Sequence, residues 1–177
     1  TVPVQVPMGG FGVDGDAFSN TPFDNEGDWF DGPGGTGGGL FTGMVPTDPT
    51  RTFFIQDDWG TFDASTFTTS SKIDDDPNTY TWGPANNLLG KNDLQNVAAH
   101  FAWSGTGETG DLWCIFAADR QDVNGDAYID FEFLQEPMTI GDAIFNSDGS
   151  IASGSNGFTS EGEAGGRTLG DILVTVI

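Results

Sequence analysis

The chain has 177 residues and 18.7 kDa, which fits one domain spanning 1–177 with mass enough for a sizeable core. Its 27 Asp+Glu against 5 Lys+Arg give a net charge of −22, which repels nucleic acids and anionic membrane surfaces. At 12% aromatic it is too aromatic for a disordered chain, and it has no run of 18 apolar residues to insert in a bilayer.

Taken in chain order, Val2, Val4 and Val6 alternate along a first segment in which Pro3 and Pro7 permit only an edge strand or an extended arm. The glycine run at 32–39 lacks the Gly-Lys-Ser/Thr of a phosphate-binding loop and reads as flexible. Residues 52–56 read as a strand, 57–60 as a turn, 66–70 as a polar strand, 74–77 as a turn and 78–82 as an alternating strand. One short helical turn is expected within 84–96, then a strand over 96–103 and a turn over 105–110. The long apolar runs 111–119 and 127–135 flank turn-rich residues and predict a hairpin at the centre of a sheet. Residues 141–158 read as turn-rich and 169–177 as a β-branched closing strand. Frequent turns, 27 Gly and almost no helical periodicity predict an all-β chain, an antiparallel β-sandwich that is jelly-roll-like.

The acidic excess is mostly Asp, 21 against 6 Glu, and Asp favours turns and hard-cation sites. Asp119, Asp122, Asn124, Asp126 and Asp130 cluster in one loop that is similar to the start of an EF-hand or dockerin calcium loop. The loop departs from an EF-hand, counted from Asp122, with Ala127 at the sixth position and Phe133 at the twelfth. A looser Ca²⁺ site and a plain Asn-Gly turn both fit these residues. Asp74–Asp76 reads as a solvated turn or a metal corner. The single cysteine, Cys114, lies in an apolar run and cannot form an internal disulfide; His100 lies in another and reads as structural. Among the five tryptophans most are expected in the core, the rest being candidates for a sugar-stacking platform. Lys91, Asn92, Asp93 and Asn96 are expected to tie down a loop, with Arg120 as a partner.

Strand alternation places Tyr128, Asp130 and Glu132 on one face, successive members roughly 7 Å apart. This segment resembles the active-site strand of laminarinase-type glycoside hydrolases, a jelly-roll family. The resemblance implies Asp130 as the assisting residue and Glu132 as the acid/base. Tyr128 stands at the nucleophile position, where a retaining mechanism needs a carboxylate. The alternative is a polar face with Asp130 or Glu132 paired to a base such as Arg120.

A longer series covers most of the chain: Gly15-Asp16-Ala-Phe18, Asp28-Trp29, Tyr80-Thr-Trp82-Gly83, Lys91-Asn-Asp93-Leu-Gln-Asn96, and Gly110 through Ala118-Asp119-Arg120. Asn124-Gly-Asp-Ala127, Phe131-x-Phe133-x-Gln135 and Gly170-Asp-Ile-Leu173 follow. The series resembles the uncharacterised N-terminal β-sandwich domain of large secreted bacterial surface proteins. That resemblance implies a secreted, cell-surface module with a structural or adhesive role, the first domain of a longer protein; catalysis is not part of it. A start at Thr1 without Met reads as a processed or trimmed chain. Val2, Val4 and Val6 at one end and Ile172, Val174 and Val176 at the other are candidates for self-association by strand addition. A non-catalytic structural or adhesive module is thus the leading expectation. A polysaccharide-binding module and a glycoside hydrolase are the alternatives.

Overall fold

The computed structural model describes residues 11, 17–19, 28–32, 39–57, 66–68, 75–84, 88–105, 108–142, 145–148 and 156–176. In chain order the strands are β1 (Asp28–Phe30), β2 (Gly39–Thr42), β3 (Val45–Pro46), β4 (Thr52–Gln56), β5 (Thr66–Phe67) and β6 (Thr81–Gly83). They continue as β7 (Leu94–Trp103), β8 (Leu112–Arg120), β9 (Ile129–Phe133), β10 (Met138–Ile140), β11 (Asn156–Ser160) and β12 (Ile172–Val176). Among the described residues the helical segments are two single 3₁₀ turns, Pro77–Thr79 and Gly90–Asn92. The chain is therefore all-β, and every strand pair with a defined register is antiparallel except β1 with β2.

The strands fall into two compact units, each assembled from two separate stretches of sequence: Thr1–Gln56 with Asn96–Asp119, and Asp57–Gln95 with Arg120–Ile177. The first unit is a two-layer sandwich. One sheet has the order β1-β2-β3 and the other β4-β7-β8. Between them lies an aromatic core of Phe11, Trp29, Phe41, Ala98 and Ile115. Trp29 and Phe41 stack 5.8 Å apart within one layer, and Phe41 meets Phe54 of the other edge-on at 5.4 Å. Phe54 lies opposite Ala98 across the β4–β7 ladder, so a large ring is matched to a small partner. The parallel β1–β2 pair requires Gly39. Its N–H donates to the Asp31 carboxylate at 2.8 Å, and a Cβ there would meet the Asp31 backbone at 2.5 Å.

In the second unit a four-stranded sheet has the order β10-β11-β6-β5, and β9 pairs with β12 in a two-stranded ribbon. The expected strands at 52–56 and 96–103 form as β4 and most of β7, and the expected helical turn within 84–96 is the 3₁₀ turn at Gly90–Asn92. Residues 78–82 differ: Asp76 caps a 3₁₀ turn through the Asn78 N–H, which delays the strand to Thr81. Residues 141–158 also differ, since β10 and β11 flank them and pair at Ile140 and Phe158.

The largest departure is the expected hairpin of 111–119 with 127–135. β8 joins β7, closed by a turn in which Ser104 and Asp111 exchange hydrogen bonds at 2.9 Å, while β9 takes β12 as its partner. The 104–111 turn and the 121–128 connection are equal in length, so loop closure does not decide between the two pairings. The Arg120 guanidinium holds the 121–128 connection in a non-hairpin form, donating to the carbonyls of Val123, Gly125 and Lys91.

Candidate ligand-binding cleft

Strand register in the second unit gathers apolar side chains on one face of its four-stranded sheet. Phe67 on β5 lies opposite Trp82 on β6, Trp82 lies opposite Asn156 on β11, and Phe158, two residues on, lies opposite Ile140 on β10. Side chains alternate across a sheet, so Phe67, Trp82, Phe158 and Ile140 share that face while Thr66, Thr81, Gly83, Gly157 and Thr159 share the other. Phe67 stacks on Phe158 at 5.2 Å with rings within 5° of parallel, and Tyr80 meets both edge-on at 6.1 Å. Phe67 is 46% exposed and Ile140 65%.

This face is the floor of an open cleft of about 460 Å³. Its walls are Leu88 and Leu94, joined by the polar groups Asp57, Asn92 and Asp93. No described lining residue is basic. The wall is built by the Gly90–Asn92 turn, which a clasp holds in place: Gln121 and Asp122 N–H groups donate to the carbonyls of Asp93 and Gly90, Lys91 Nζ donates to Asp126 O at 2.9 Å, and Arg120 donates to Lys91 O at 3.3 Å. The expected pairing of the 91–93 segment with Arg120 is thus present. In the first unit Asn96 donates its backbone N–H and its amide to the Asp119 carboxylate at 2.9–3.1 Å.

The expected calcium ligands do not converge. Asp119 is engaged by Asn96, Asp130 accepts from Thr175 Oγ1 at 2.7 Å, and Asp126 contributes its backbone carbonyl to Lys91. Asp122 and Asn124 are exposed. Among the described residues no group of three His, Cys, Asp or Glu is placed to hold a metal ion. Asp76 serves as a helix cap, and Asp74 lies outside the described residues.

On β9 Asp130 and Glu132 alternate as expected, while Tyr128 lies just before the strand and is 68% exposed. The base beside Glu132 is Arg167 rather than Arg120, whose donors are spent on loop carbonyls. Arg167 Nη1 sits 3.0 Å from Glu132 Oε2, Arg167 Nη2 donates to Tyr80 Oη at 2.9 Å, and Tyr80 Oη donates to Glu132 Oε1 at 3.0 Å. Burial, then the negative charge of Glu132 and the hydrogen bond to it, push the Tyr80 phenol up to about 12. Burial pulls the Arg167 guanidinium down, but the bonds and charges of Glu132 and Tyr80 outweigh it and hold the group above its ordinary value.

Arg167 is delivered by a tight turn in which Gly162 pairs with Gly166. Gly166 has φ +73°, and a Cβ there would meet Asp76 Oδ1 at 2.5 Å, so only glycine fits.

Val2, Val4 and Val6 lie outside the described residues. Ile172, Val174 and Val176 lie on β12 opposite Phe133, Phe131 and Ile129, with Ile172 and Val176 about half exposed. At the start of β12 the Asp171 carboxylate caps the Thr168 N–H and takes the Gln135 N–H, which keep it below the usual carboxylate range. Cys114 is half-buried, and burial raises its thiol. His100 shares a 2.9 Å hydrogen bond with Thr52 Oγ1, and burial lowers its ring pKa. Among the tryptophans, Trp29 is in the core, Trp113 packs against it, Trp82 lines the cleft, and Trp59 lies outside the described residues.

Phe67, Phe158 and Ile140 are not singled out by sequence, Asp57 is read only as part of a turn, and Asp93 only as a loop tie. Their signal is the period-2 pattern Thr-Phe-Thr, Thr-Trp-Gly and Gly-Phe-Thr in segments that read as polar or turn-rich. No protein-family model matches the chain, and no curated protein or solved structure shows significant similarity to it.

Proposed function

We propose that this chain is a non-catalytic extracellular or cell-surface β-sandwich module with an adhesive role, and that its cleft binds polysaccharide. The observation that carries this is the Phe67–Trp82–Phe158–Ile140 face opening into a cleft beside Asp57, Asn92 and Asp93. Sugar rings present an apolar C–H face to aromatic rings and hydroxyls to carboxylate and amide groups. The cleft volume of about 460 Å³ suits a small-molecule-sized segment. The likeness to secreted bacterial surface domains supports the extracellular, adhesive part. Against hydrolysis stand Tyr128 at the nucleophile position and Glu132 committed to Arg167 and Tyr80.

Calorimetric titration with soluble β-glucan and other neutral oligosaccharides tests the proposal. A saturable isotherm is expected, weakened about tenfold or more by Trp82→Ala, with circular dichroism used to verify that the variant is folded. Flat isotherms at millimolar sugar across the panel reject it.

Strand addition is the second reading, favoured by β12, where Ile172 and Val176 are about half exposed on a strand that pairs with β9. Calcium enters it as a stabiliser of the acidic 119–130 turn. Light scattering with and without CaCl₂ should then give high-mass, calcium-dependent polymers. A particle of about 18.7 kDa in both conditions rejects both strand addition and its calcium dependence.

A further inference from the structure

We infer that the cleft selects a saccharide carrying a protonated amine, an amino sugar, over its neutral and acidic counterparts. This rests on the saccharide reading of the same cleft and names the ligand's charge. Two observations point the same way. The polar groups of the wall include the carboxylates of Asp57 and Asp93, and no described lining residue is basic. The floor presents Phe67 and Trp82, whose ring faces carry the negative end of the aromatic quadrupole and attract an ammonium group.

Asp93 is 2% exposed, and a charge on a partly desolvated wall interacts more strongly than one at the surface. The whole-molecule charge of −22 adds attraction for a cation and repulsion for a uronic acid. A neutral sugar uses the stacking surface and the hydroxyl acceptors alone. An amino sugar uses these and the charge.

The experiment titrates the full chain with three oligosaccharides of equal length: a glucosamine oligomer, the same oligomer fully N-acetylated, and a uronate oligomer. The amine form is expected to bind about tenfold more tightly than the acetylated form, a preference that shrinks in high salt, with no binding of the uronate. Asp57→Asn, at an exposed position, should reduce the preference, weakening the glucosamine oligomer more than the acetylated one. Trp82→Ala keeps the net charge and should abolish binding of both. Equal or tighter binding of the acetylated oligomer overturns the amine preference and leaves the saccharide reading standing. Undiminished binding of the glucosamine oligomer by Trp82→Ala means attraction to the acidic surface at large, and overturns the assignment to the cleft. No binding of any of the three, together with flat isotherms for neutral glucans, overturns the saccharide reading itself.

Discussion

Arg167→Ala is expected to lower stability by about 3 kcal/mol, the low end of the cost of leaving one member of a buried ion pair without its partner. The side chains of Arg167 and Glu132 are 25% and 17% exposed, and Tyr80 is 3% exposed, so the Glu132 carboxylate and the Tyr80 hydroxyl would lose a charged donor where water does not readily replace it. For a chain of this length the loss corresponds to a melting temperature lower by about 6–12 °C. Calorimetry of Arg167→Ala, Glu132→Gln and the double variant checks it. The double variant should recover part of the loss, because no unpaired charge remains; a loss under about 1 kcal/mol for Arg167→Ala would mean the network is solvated.

The alkaline limb of the wild-type stability curve reads the same network. The fold holds the Tyr80 phenol protonated, with its pKa raised from 10 to about 12. Its contribution is therefore present below pH 10 and lost as the pH rises through about 12, an effect of roughly 3 kcal/mol that Tyr80→Phe should flatten.

Phe41→Ala should cost about 3–5 kcal/mol through the first unit's core. Phe41 is 5% exposed and touches Trp29, Phe30 and Phe54, with ring centroids 5.4–5.8 Å away. Truncation removes both the buried ring and the surface that the two sheets share, and three large aromatic neighbours cannot collapse into the space without leaving their rotamers. Phe41→Leu should cost less, about 1–2 kcal/mol, because it keeps most of the volume. Val123→Ala is the control: Val123 is 82% exposed, and its truncation should lie within about 0.5 kcal/mol of the wild type. Urea denaturation of the three variants decides it, and equal midpoints for Phe41→Ala and Val123→Ala would contradict the sandwich core.

How much was legible follows from the range of each interaction. The strands at 52–56 and 96–103 form because alternation and β-branched or aromatic content act within a few residues. The sequence offers a pairing of Glu132 with a base as the alternative to catalysis, but not which base. Arg167 lies 35 residues away, at the end of a glycine turn that reads locally as loop. The hairpin of β8 with β9 was misassigned because two apolar runs flanking turn residues look alike whether they pair with each other or with β7 and β12.

By itself the sequence determined the strand content, the net charge of −22 and the alternating side-chain faces, since each depends on composition or on neighbours along the chain. Only the tertiary structure decided which strands pair, which base answers Glu132, and that Phe67, Trp82, Phe158 and Ile140 share one face. Those outcomes rest on register between segments up to 91 residues apart, from Phe67 to Phe158, and register is set by which cores fill, which leaves no local signature.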